Sequence, residues 1–192
     1  MHSSTLITAL LTSIVASAPT SLSLEKRFPS GPNVITPTFI SVYNINTGGL
    51  TYQPSLGKAS FAQTTTTISA FNIPANVAGK KCSLHFYLDS GDAAARFTGP
   101  ASSQVLQVFS TNSVPPQHSV PSWGPPGNQR NEHYGNLKLV KPGDATVDDY
   151  PRKLESFDCP AQGTYAWEVV AKWDVGVEWG NGAGSGLYLK WV

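Results

Sequence analysis

Past its first eighteen residues this sequence has no apolar run of membrane-spanning length, no internal repeat and no excess of either charge. The first absence excludes a protein built on transmembrane helices. The balance of 13 Lys+Arg against 12 Asp+Glu leaves no electrostatic stripe for nucleic acid or an anionic bilayer. No segment keeps a helical period over three turns, so a helical bundle is excluded as well. No Asn-x-Ser/Thr acceptor occurs, and N-linked glycan is not expected.

Catalytic and metal signatures are equally scarce. Asp89-Ser90-Gly91, after an apolar run, resembles the way an aspartic protease presents its carboxylate. That chemistry needs two carboxylates sharing a proton, and no second motif exists here, so the stretch reads as a turn. Ser185 lacks glycines two positions before and after it, where positions 183 and 187 would need them for a nucleophile elbow. His85, His118 and His133 have no metal-ligand spacing, and Asp144, Asp148 and Asp149 have no calcium-loop frame. No cofactor is implied.

What is present begins with a leader. Residues 1–18 end in the apolar run "LITALLTSIVASA" and the small-residue pattern closing at Ala18, as in a secretory signal peptide. Residues 19–27 then end in the dibasic pair Lys26-Arg27, which reads as a processing site. Cleavage there leaves a single domain, residues 28–192. Loss of Glu25, Lys26 and Arg27 leaves 11 acidic and 11 basic residues. The mature chain is expected to be neutral, and secreted or wall-associated.

Short alternating runs follow one another. Cys82, Leu84, Phe86 and Leu88 share one strand face, with Ser83, His85 and Tyr87 on the other. Tyr165, Trp167, Val169, Ala171 and Trp173 alternate likewise, and further strands are expected at Val34 to Ile45, Thr65 to Ile73, Val105 to Ser110, Asn136 to Val140, Val175 to Trp179 and Gly186 to Trp191. Prolines and glycines punctuate these runs, so the expected fold is all-β, an antiparallel, jelly-roll-like sandwich. The sole cysteines, Cys82 and Cys159, are both in phase with core residues and are expected to form one disulfide.

One connection stands apart. Thr111 to Glu132 holds five prolines and no evident strand, a length at which loops tend to be functional or disordered. Trp123 sits in its middle. Trp167, Trp173, Trp179 and Trp191 read as core by parity. Trp123 and Tyr134 therefore become the expected exposed platform for a sugar ring, with His133 as a polar partner. A tryptophan folding back to cap the sandwich is the competing reading of Trp123.

Four stretches, "FNIPANVAGKKCSLHFYL", "GNLKLVKPGDA", "FDCPAQGTYAWEV" and "GLYL", together resemble the fungal ubiquitin-3-binding-protein (But-two) C-terminal domain family. The resemblance covers roughly residues 70 to 190. It implies a β-sandwich with the two cysteines bridged and offers no catalytic residues to carry over. "EWGNGAGS", Glu178 to Ser185, departs from the aromatic-Asp-Pro-rich turn the family tends to carry there. The family's ubiquitin-like partner is not expected for a chain with a leader. The leading functional expectation is thus a non-catalytic module binding a wall polysaccharide or acting structurally. The alternatives are a secreted protein-binding module and a hydrolase using Glu132, Asp144 or Asp148 with His133.

Overall fold

A computed structural model describes residues 29–60, 64–99, 104–124, 129–148, 150–181 and 184–192. Ala18, Lys26 and Arg27 lie outside them. Among the described residues the chain forms strands and short 3-10 turns, in two antiparallel sheets.

The smaller sheet is built on β6 (Lys81–Leu88), flanked by β15 (Gly186–Trp191) on one side and by β10 (Gly143–Asp144) and β12 (Phe157–Asp158) on the other, with β1 (Val34–Ile35) outside β15. The cysteine-bearing strand has the alternation that its sequence demands. Leu84, Phe86 and Leu88 are buried on the inner face, while Ser83 and His85 are half-exposed on the outer. Phe157 pairs in register with Cys82, which brings Cys159 alongside and allows the Cys82–Cys159 disulfide.

The larger sheet runs β11 (Thr146–Asp148), β9 (Arg130–Lys138), β8 (Val105–Thr111), β13 (Gly163–Ala171) and β5 (Thr65–Ile73). β2 (Phe39–Asn44) pairs along β5, and β3 (Leu50–Tyr52) pairs with β2. β4 (Leu56–Ser60) meets β5 at one pair only, Ser60 with Thr65. From that junction β4, β14 (Gly176–Gly180) and β7 (Arg96–Thr98) curl away and turn Ala59, Val177 and Trp179 into the common core. The core joins these residues to Phe71, Trp167 and Val169 of the large sheet and to Leu84, Phe86 and Leu187 of the small one.

The large sheet also carries apolar groups on its outer face. Phe39, Tyr43, Ile68, Ala70 and Ala166 form a second cluster, capped by Leu50 and Trp123. Beside it the fully buried carboxylate of Glu168 accepts two hydrogen bonds from Arg130, both at 2.9 Å, and one from the Thr66 hydroxyl at 2.6 Å. A buried carboxylate is tolerable only when its oxygens are satisfied in this way.

Two expectations are corrected here. The run from Val34 to Ile45 is not one strand: it breaks at Thr36–Thr38, where the chain crosses from the small sheet to the large one. The parity that placed Trp173 in the core ends with β13 at Ala171. Lys172 still donates its amide to the Val105 carbonyl at 3.0 Å. The backbone at Trp173 then takes a left-handed φ of 60°, and 69 % of the residue is exposed.

Candidate functional site

The three residues expected to form a ligand platform are all described, and they do not assemble into one. Trp123 folds back onto the outer face of the large sheet. Its amide donates to the Gly48 carbonyl at 2.7 Å, and its ring meets Tyr43 edge-on at 5.8 Å. Only 8 % of it remains exposed, so the capping alternative holds. Tyr134, also 8 % exposed, points the opposite way, into the main core between Phe157 and Trp167. A bulge explains the turn inward: Phe109 pairs with His133 and Val108 with Gly135, which leaves Tyr134 as the extra residue. Burial raises the Tyr134 phenol, with the Lys153 ammonium above its ring acting against that rise. His133 stays half-exposed on the outer face, stacked on Phe109 at 4.6 Å.

The carboxylates of the hydrolase alternative are similarly dispersed. Glu132 pairs with Lys153, and Asp144, on the other sheet, accepts from the Tyr188 hydroxyl at 2.7 Å. Asp148 lies on β11 opposite Asn136. His133 meets none of them in these contacts. Among the described residues no group of three His, Cys, Asp or Glu side chains could hold a metal ion. Asp89-Ser90-Gly91 is a turn, with the Asp89 carboxylate accepting the Gly91 amide at 2.7 Å.

The geometry instead offers a cleft of about 480 Å³ between the two layers. Its walls are inner-face residues of both sheets. Ile40 and Ser69, paired across β2 and β5, face Trp179 and Leu187. Ile40 is 4 % exposed and lines this space without joining either apolar cluster. Two connections contribute to the lining: Thr36–Thr38, which crosses from β1 to β2, and Gln53–Ser55, which joins β3 to β4 within the large sheet.

Asn181, Gly184 and Ser185, between β14 and β15, line the rim. The Asn181 amide group donates to the Pro54 carbonyl at 3.1 Å, and its backbone N–H donates to Ser55 at 3.0 Å, so the rim is tied to the β3–β4 connection. Ser185 accepts the Asp89 amide at 3.0 Å. Gln53 holds a left-handed φ of 45° and donates its amide to the Ile40 carbonyl at 2.7 Å. Trp179 can lie flat against β4 because its partner there is Gly57, and against the rim because Gly186 follows. The polar side chains around the space are those of Thr36, Thr38, Gln53, Ser55, Ser69, Asn181 and Ser185. Among the described lining residues none is charged.

An antiparallel sandwich with an uncharged cleft between its layers is a binding scaffold in form. Residues 36–182, well over half of the chain, match the family model described as Ubiquitin 3 binding protein But2 C-terminal domain, and the protein belongs to that family. The description is one of binding rather than of catalysis. No curated protein matches the chain in sequence. The landmarks that carried the resemblance surround β6: the Phe157-x-Cys159 element is joined to it through β12 and the disulfide, and Gly186-Leu187-Tyr188 opens its neighbour β15. They describe the scaffold, while four residues of the departing stretch, Trp179, Asn181, Gly184 and Ser185, line the cleft.

Proposed function

We propose that this protein is a non-catalytic binding module acting outside the cell or at its wall, and that the interlayer cleft receives part of a neutral polysaccharide. The observation that carries the reading is the cleft's lining. Hydroxyl and amide side chains both donate and accept hydrogen bonds, and half-buried Pro37 and Pro54 supply apolar surface above the buried Trp179 and Ile40. That combination suits a ligand whose surface alternates hydroxyl groups with C–H faces, and the lack of charge among the described lining residues suits a neutral one. Extracellular placement rests on the leader and on the disulfide, which an oxidising compartment permits. For the same reason the ubiquitin 3 of the family description is not carried over as partner.

The test is retention of the disulfide-bonded protein on insoluble β-1,3-glucan, chitin, cellulose and mannan, beside Ser55→Tyr. Ser55 is an exposed lining residue, so the larger side chain fills the cleft without entering the core. One polymer should retain the native protein and lose the variant by tenfold or more. Equal retention of both would refute the cleft as the site. No retention on any of the four would refute the polysaccharide reading and leave a protein ligand, as the family description has it.

A further inference from the structure

Trp173 combines two costs that a fold avoids without a reason. It exposes 69 % of a large aromatic side chain, and it holds a bulky residue at a φ of 60°. Left-handed backbone is uncommon outside glycine, asparagine and aspartate, and such outliers gather at functional sites. Asparagine or glycine at this place would make the same turn with neither cost. The ring's setting narrows what it can serve. Its immediate neighbours are charged: Lys172, whose ammonium lies 5.6 Å from the ring centroid, and the exposed Asp174. A protein interface or a membrane needs a contiguous apolar patch, and a single ring between two charged side chains is not one. A lone exposed ring, with the Lys172 ammonium over one face and a charged residue next in sequence, suits a pyranose, which has a C–H face to stack on the other side and hydroxyls to meet polar groups nearby.

We propose that Trp173 is a sugar-stacking platform, a second contact for the polysaccharide at a distance from the cleft. It shares the saccharide class with the cleft reading but rests on separate residues. β14 carries the relation between them: its Gly176 end adjoins the Trp173 turn, and its Gly180 end adjoins Asn181 on the cleft's rim. β14 itself rises roughly 13 Å at extended-strand geometry, the reach of two or three sugar residues. One polymer chain or two neighbouring ones on a solid surface can engage both, and linked contacts multiply retention without a new bond at either.

Four proteins test this on the same polymers and on soluble tri- and hexasaccharides: native, Trp173→Ala, Trp173→Tyr and Trp173→Gly. Trp173→Ala should lower retention on the insoluble polymer by tenfold or more and leave trisaccharide affinity, the property of the cleft, within twofold. Trp173→Tyr keeps a flat ring and should hold retention within about threefold of native. Trp173→Gly should lose retention while its Tm rises by about 2 °C, since strain is relieved and no buried contact is lost. Native-like retention by Trp173→Ala overturns the platform and leaves the cleft reading intact. A Ser55→Tyr variant with full retention that then depends on Trp173 would remove the cleft and keep the platform. A fall in Tm for Trp173→Gly would show that the ring supports the fold, and would overturn the assignment.

Discussion

Gly57→Ala is the smallest change that tests how the cleft wall is held. Gly57 stands opposite Trp179 in the β4–β14 pairing, and the indole lies across it. A Cβ at Gly57 would fall 2.2 Å from Cε2, 2.5 Å from Cζ2 and 2.5 Å from Nε1 of the ring. Carbon atoms in contact rest at about 3.5–4.0 Å, so the indole would have to retreat by more than about 1 Å. Phe86 presses edge-on at 5.0 Å between centroids on one side, while the cleft lies on another. Overpacking of this kind costs about 1–3 kcal/mol. For a domain of this size each kcal/mol moves Tm by about 2–4 °C, so a fall of roughly 2–12 °C is expected. Thermal unfolding followed by circular dichroism measures it. The clash reasoning also makes a coupling claim: in a Trp179→Leu background, Gly57→Ala should cost less than about 1 kcal/mol. A Tm within 2 °C of native, or the same cost in both backgrounds, would refute the account.

Two further outcomes can be measured on the native scaffold. The disulfide closes a sequence separation of 77 residues, and replacing Cys82 and Cys159 by alanine should cost about 4 kcal/mol in the chain-entropy account. A shift in denaturant midpoint worth less than about 1 kcal/mol would count against it. The pH dependence should carry a signature of His85, which bonds Ser83 at 2.8 Å and stacks on Tyr188 at 5.0 Å. Burial first, then the Lys190 charge, lowers its pKa below the ordinary 6.5, with Asp144 opposing. The unfolded chain therefore takes up this proton more readily than the folded one. Its contribution is present above pH 6.5 and is lost as pH falls through that value toward the lower folded pKa. Tm should drop between pH 7.5 and 5, and His85→Asn should flatten that part of the slope; an unchanged slope would refute the assignment.

The frame was legible because its signals are local. β5 matches the expected run Thr65 to Ile73, and the even positions of β6 are inward as alternation required. The bridge followed from two cysteines in phase with core residues. Trp173 was misread because parity was extended beyond the point where pairing stops, and nothing in "AKWD" marks that point. Tyr134 was misread because a bulge reverses direction between His133 and Gly135. Gly135 was the available signal: its φ is 148°, and a Cβ there would lie 2.4 Å from the Pro151 carbonyl oxygen. Glycine inside a strand often marks a bulge or a close backbone approach. The cleft left no trace in the sequence, since Thr36–Thr38, Gln53–Ser55, Asn181 and Gly184–Leu187 meet only after the sheets have formed.

That mode of construction has a consequence for how such a pocket changes over time. The space between the layers comes from where the connections β1–β2, β3–β4 and β14–β15 run, and hydrogen bonds such as Gln53 N–H to Ile40 and Asn181 N–H to Ser55 hold them. An exposed side chain on these connections can be exchanged while strand register and disulfide stay fixed. A preformed space of this kind asks little ordering of the chain when a ligand enters. Under the proposed reading, the shape of the space can therefore change by substitution at exposed Ser55 with little effect on the strand register that holds the fold.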